Sequence, residues 1–278
     1  MSAHPFRIVN VFAESPLAGN PLAVVERADD LDDDTMQAIA LQFNLSETTF
    51  VLRSTRATAR VRIFTPTFEL PFAGHPTIGT AHVVRDTMGA GDRLTLDMRA
   101  GVIPVEAAGD VWTLRANAPS HREPATPREA LAAMLGLAPN DLGERPLWVD
   151  TGTEQLIVPL RSFDAVRCAA PRSEAMLAHA TNGTRAMAYV FARDGDRVLA
   201  RMFFPKHGAI VEDPGTGSAC ANLGGWLIAT GAALPQSLTV DQGADVGRPC
   251  RLGLEVTVDR DIRVSGRVIE IARGSLAL

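Results

Sequence analysis

A seven-residue pattern, X-Pro-x-x-Gly-(Ser/Thr)-Ala, occurs twice in this chain, as His75-Pro76-Thr77-Ile78-Gly79-Thr80-Ala81 and as Asp213-Pro214-Gly215-Thr216-Gly217-Ser218-Ala219. Each copy follows an Arg-x-Phe-x-Pro run, at 62–66 and at 201–205. A chain that repeats a strand signal followed by a helix entry of proline and small residues is constrained to fold as two copies of one unit. Each copy sets a protic side chain, His75 or Asp213, just before a helix, and the free backbone N–H groups of such a first turn can hold an anion. Two such ends facing each other make a site.

The length of 278 residues gives each of two units a core of its own. Hydrophobic residues at 46% and charged residues at 21% are the balance of a globular protein. A net charge of −5 without a basic cluster argues against nucleic acid and leaves small molecules as the expected partners. Cys168, Cys220 and Cys250 are odd in number and widely spaced, so they outline neither a disulfide framework nor a zinc site. Residues 1–13 lack the pattern of a signal peptide, and no run reaches the roughly 18 apolar residues of a membrane span. A cytoplasmic protein is expected.

Period-two alternation predicts strands over 6–12, 22–25, 48–52 and 60–64, and the 3.6-residue period predicts a helix over 32–43 with Met36, Ile39, Ala40 and Phe43 on one face. The first repeat opens a helix over 76–88, followed by strands over 94–98 and 102–106. The second half repeats the order with strands over 149–160, 186–191 and 198–204, a helix over 214–230 and a strand over 237–240. The halves therefore read as an α+β pair, each with a mostly antiparallel sheet wrapped around a central helix. Residues 1–117 form the first and 118–264 the second, with a polar linker over 119–127 and a C-terminal strand over 267–272 that could return to the first.

Glu47 heads a strand among polar, uncharged neighbours, and sequence comparison of the halves sets Thr153 opposite it. Proton transfer needs an acid or base near a fixed anion cradle, which singles out Glu47 with His75 and Asp213. Taken alone, each has an ordinary reading: a surface carboxylate, a hydrogen-bonded histidine and a helix cap. No serine stands in a Gly-x-Ser-x-Gly elbow, and Gly215-x-Gly217 departs from the dinucleotide fingerprint at its third small residue.

Gly19-Asn20-Pro21, the 45–48 run Leu-Ser-Glu-Thr, the 69–77 run from Glu69 to Thr77, the 212–219 run from Glu212 to Ala219 and Gly247-Arg248-Pro249 resemble the signatures of PhzF-like phenazine-biosynthesis proteins. The resemblance implies the diaminopimelate-epimerase-like fold, with two pseudo-symmetric halves, an active-site cleft between them and a homodimer. It implies isomerisation of a substrate like trans-2,3-dihydro-3-hydroxyanthranilate without a cofactor. Glu47 is then the general acid/base, His75 and Asp213 join it as catalytic residues, and Gly74, Gly217 and Ser218 bind substrate. The two-thiol chemistry of related racemases is closed to a chain with His75 and Asp213 at the helix starts. Desolvation of Glu47 would raise its proton affinity and let one group both donate and accept. Epimerisation or elimination on an amino or hydroxy acid, and ligand binding without turnover, remain as alternatives.

Overall fold

In the computed structural model, which describes residues 3–278, the alternating amino-terminal run is a strand, β1 (Ala3–Val11). Residues 1 and 2 of the stretch analysed for a signal peptide lie outside the described residues. The chain divides into two units, Met1–Arg115 with Ser265–Leu278, and Ala116–Val264.

In the first unit β2 (Asn20–Val25) lies antiparallel to β1, and β3 (Glu47–Leu52) runs parallel to β2 after the helix α1 (Asp33–Phe43). The helix starts because the Asp32 carboxylate accepts the Thr35 N–H at 2.8 Å, and it stops at Asn44 in the left-handed region. Its buried face, Met36, Ile39 and Ala40, packs with Val25, Phe50 and Phe64. β4 (Ala59–Phe64) is antiparallel to β3, and the short β5 (Glu69–Leu70) folds back on it. Then come α2 (Gly74–Met88), β6 (Arg93–Met98) parallel to β4, and the antiparallel β7 (Gly101–Ala108) and β8 (Val111–Arg115). α2 lies tightly on β1 and β2, since a Cβ at Gly79 would stand 2.6 Å from Leu22 and 2.9 Å from Val11.

The second unit opens with β9 (Ser120–Arg122), inside the stretch expected to be a linker, and α3 (Arg128–Met134). The single strand expected over 149–160 is two antiparallel strands, β10 (Leu147–Asp150) and β11 (Gln155–Pro159), because the chain turns at Gly152 with φ +134°. Two short helices missed by periodicity, α4 (Phe163–Cys168) and α5 (Ser173–His179), lead to β12 (Ala188–Asp194), parallel to β11. β13 (Arg197–Lys206) and β14 (Ala209–Asp213) form a hairpin before α6 (Gly217–Ala229). β15 (Gln236–Gln242) runs parallel to β13, and β16 (Cys250–Val256) is antiparallel to β15. In the last strand, β17 (Ile262–Ala277), Val268 pairs with Val11 and Ala277 with Ala3.

The two units share one order of pairings: β1 to β7 and β10 to β16 each read antiparallel, parallel, antiparallel, hairpin, parallel, antiparallel. The repeat is real, but its frame differs from the one the motif suggests. Arg62 forks onto Glu69 at 2.8 and 2.9 Å, as Arg201 forks onto Glu212 at 3.1 and 2.7 Å. From there Glu69, Ala73, Gly74 and His75 match Glu212, Thr216, Gly217 and Ser218, with Ala73 and Thr216 as helix caps and Gly74 and Gly217 as first helical residues. The motif offset is 138 residues and the structural offset 143, so the motif pairs positions five residues out of frame. The same topology corrects the equivalence of Glu47 and Thr153. Thr48 lies opposite Phe64 and Ala188 opposite Phe203, so with Arg62 matched to Arg201 the place of Glu47 belongs in the second unit to Met187, just ahead of β12.

Candidate active site

Glu47 owes its direction to the sheet. Leu22 points at α2, and Glu47 is its partner in the parallel β2–β3 register, so both side chains leave the same face. Two residues further along β3, Thr49 meets Thr80 of α2 at 2.7 Å between hydroxyl oxygens. The carboxyl of Glu47 thereby reaches the first turn of α2, where its Oε2 is 3.4 Å from His75 Nε2. The amide of Asn20, first residue of β2, stands on the other side of the ring, 3.4 Å from Nδ1.

His75 is buried, and burial pushes its imidazole from the ordinary 6.5 down to about 3, against a weaker opposing pull from a hydrogen bond to the Pro21 backbone. The ring is neutral at pH 7, so its contact with Glu47 is not an ion pair despite the distance. The consequence is measurable. Between pH 6.5 and about 3 the unfolded chain binds a proton at His75 that the native chain refuses, so stability falls as pH falls through that window. We predict that the urea-unfolding free energy drops about 1.4 kcal/mol per pH unit more steeply in the wild type than in His75→Gln between pH 6 and 4. Equal slopes would contradict the neutral, buried ring.

His75 is not ahead of its helix, as the motif suggests, but is its second residue. The first helical bond runs from Thr77 N–H to the Ala73 carbonyl at 3.2 Å, and Pro76 takes a position whose N–H has no helical acceptor. Asp213 differs again. It ends β14, and Pro214 lies in a loop, because the first bond of α6 closes from Cys220 N–H to the Thr216 carbonyl at 3.0 Å. Asp213 is therefore not the helix cap; instead its Oδ2 accepts from the Thr216 hydroxyl at 2.5 Å. Buried Gln242 braces the loop, donating to the Asp213 carbonyl at 2.7 Å and accepting from Thr216 N–H at 3.3 Å. Gly217 and Ser218 open α6, and the N–H groups of this turn are donors that the helix cannot itself satisfy.

The structure thus brings Glu47, His75 and Gly74 together in the first unit, and Asp213, Gly217 and Ser218 in the second. Sequence reasoning missed the amides around them: Asn20 beside His75, Gln242 under Asp213, and Gln155, which donates to Ser218 at 3.1 Å. Only Asn20, within Gly19-Asn20-Pro21, lay in a recognised motif. Cys220 and Cys250 are buried, and burial pushes both thiols up, away from nucleophilic use. Among the described residues no group of three or more His, Cys, Asp or Glu side chains is placed to hold a metal ion. A cavity of about 750 Å³ is lined by Arg7, Glu26, Arg53 and Met88 and by none of the six site residues, and its Arg7 is engaged by Glu26, Asp86 and Glu270. No helix among the described residues is long and apolar enough to cross a membrane.

The profile of the phenazine biosynthesis-like protein family matches residues 9–274. An uncharacterised isomerase of Pasteurella multocida is 37% identical over 289 residues, covering 99% of this chain and 95% of its own. A trans-2,3-dihydro-3-hydroxyanthranilate isomerase of Pseudomonas aeruginosa is 37% identical over 258 residues, covering 90% of this chain and 89% of its own. The crystal structure of a PhzF-family phenazine biosynthesis protein of Bacillus anthracis superposes with a TM-score of 0.89 at 27% identity over the whole of both chains. A probable proline racemase of Agrobacterium radiobacter, at 10% identity and a TM-score of 0.65 over 99% of this chain and 93% of that one, is alike in fold alone. The fold is the α+β, diaminopimelate-epimerase-like one, and the motifs, the family profile and the relatives agree: the chain belongs to the phenazine biosynthesis-like PhzF family and is an isomerase.

Proposed function

We propose that this isomerase moves a proton within a small cyclic or amino carboxylic acid, with trans-2,3-dihydro-3-hydroxyanthranilate as the model substrate and Glu47 as the group that carries the proton. The observation behind this reading is the carboxyl of Glu47, 3.4 Å from an imidazole that burial holds neutral. A neutral ring does not hold the carboxyl in its charged form as an imidazolium would, which suits a group that has to both give and take a proton. Glu47 would take the proton from one carbon and return it to another. The reaction is redox-neutral and forms no bond to a second reactant, so a general acid/base can carry it without a cofactor or metal. The braced carboxylate of Asp213 suits a substrate amino or hydroxyl group, and the first turn of α6 suits the substrate carboxylate.

The test is turnover by protein that has been dialysed against chelator and freed of small molecules. Conversion of trans-2,3-dihydro-3-hydroxyanthranilate at an undiminished rate is expected. A requirement for added metal, flavin or nicotinamide would overturn the reading. The family resemblance further supports a homodimer working in the cytoplasm, and light scattering of the purified protein at twice the 29.7 kDa chain mass is the expected result.

A further inference from the structure

A run of buried polar groups in the second unit ends on Ser218. Thr151 donates its backbone N–H at 2.9 Å and its hydroxyl at 2.7 Å to Asn222 Oδ1. A backbone N–H can only donate, so this fixes which end of the Asn222 amide is oxygen. Its Nδ2 then donates to the Thr153 carbonyl and to Gln155 Oε1, both at 2.8 Å. With its oxygen taken, Gln155 presents Nε2 to Ser218 Oγ at 3.1 Å. Asn222 and Gln155 are almost wholly buried, whereas Ser218 is partly open to solvent. Neither amide can flip without leaving a buried donor facing a donor. The first unit has a similar arrangement: Asn20 heads β2 and Gln155 heads β11, and each meets the second residue of the central helix, His75 or Ser218.

A serine hydroxyl carries one proton and two acceptor sites. The Gln155 N–H fills an acceptor site, and among the described residues no other hydrogen bond engages the Ser218 hydroxyl, so its proton remains to be donated outward. We propose that Gln155, held by Asn222 and Thr151, is a positioning residue that makes Ser218 a hydrogen-bond donor to the substrate carboxylate. The proposal rests on the isomerase reading above and adds a specificity element to it: an anionic group is favoured at Ser218.

The experiment compares Gln155→Met, Gln155→Glu, Ser218→Ala and the Gln155→Met/Ser218→Ala double variant. KM and kcat are measured with trans-2,3-dihydro-3-hydroxyanthranilate, and Kd with anthranilate, an unreactive aromatic carboxylate. Gln155→Met is expected to raise KM and Kd about tenfold with kcat nearly unchanged, and to have no further effect once Ser218 is alanine. Gln155→Glu is expected to bind like the wild type at low pH, where the new carboxyl is protonated and still donates to Ser218. At higher pH its carboxylate would draw the Ser218 proton inward and binding would weaken, a pH dependence beyond that of the wild type. This variant also serves if Gln155→Met fails to fold. Full additivity of the two single substitutions, or a Gln155→Glu whose pH dependence matches the wild type's, in an otherwise active enzyme would overturn the proposal alone. A folded wild type that neither turns over the substrate nor binds anthranilate would overturn the isomerase reading, and this inference with it.

Discussion

Glu47→Gln is expected to lower kcat on trans-2,3-dihydro-3-hydroxyanthranilate about 10³-fold, with KM and thermal stability close to the wild type. Glutamine keeps the shape of glutamate and its reach toward His75 Nε2, but it neither gives nor takes a proton at neutral pH. The substitution therefore separates proton transfer from packing. If Glu47 served only to hold His75, the loss would appear in stability and kcat would stay within tenfold of the wild type. Pre-steady-state and steady-state turnover of the purified variant, with its melting temperature as control, decide between the two.

The second large effect is expected at a residue that touches no substrate. Gly243 follows Gln242, has φ +80°, and a Cβ there would stand 2.3 Å from the Pro214 carbonyl oxygen and 2.4 Å from that of Arg248. Both obstacles are backbone, so no rotamer change relieves them. Gly243→Ala should cost about 3 kcal/mol in urea unfolding, strain and overpacking together, and should reduce turnover by shifting the loop that carries Asp213. Gly195 is the control, with φ +62° and nothing within 4 Å of its added Cβ, so Gly195→Ala pays the backbone strain alone, about 1 kcal/mol. Equal losses at the two glycines would show that the close approach at Gly243 is not what holds the loop.

Local signals in the sequence served for the longer elements, whereas helices of six or seven residues such as α4 and α5 are too short to show a period. The α1 helix follows from its Asp32 cap and from apolar residues at helical spacing, and β1 to β4 follow from alternation. The existence of a repeat was legible too, but its frame was not. The longer strands of the β13–β14 hairpin stretch the path from Arg201 to Glu212 to 11 residues, against 7 from Arg62 to Glu69. Asp213 then falls 12 residues past Arg201, close to the 13 that separate His75 from Arg62, and the wrong pairing looks natural. Only the forked Arg–Glu contacts and the sheet register expose the shift. Proline was a poor guide to the helix starts for a related reason: what decides them is which carbonyl closes the first turn, Ala73 in one unit and Thr216 in the other.

The amides were illegible for a different reason. Asn20, Gln155, Asn222 and Gln242 act through partners 26 to 71 residues away in sequence, and no spacing rule connects an amide to a contact at that range. Glu47 stood out as an ionisable residue without an ionisable counterpart in the other half, and its grouping with His75 and Asp213 came from the need for an acid or base near an anion cradle. The structure adds the reason that relation holds, which is the parallel register of β2 and β3 beneath α2.

The most direct test of a proton-shifting isomerase is NMR of trans-2,3-dihydro-3-hydroxyanthranilate in deuterated water with the cofactor-free wild-type protein. The account predicts an isomer of unchanged composition, with deuterium entering only at the ring carbon that gains the proton. Substrate left unconverted by folded protein, or a product formed by loss of water or by oxidation, would contradict it.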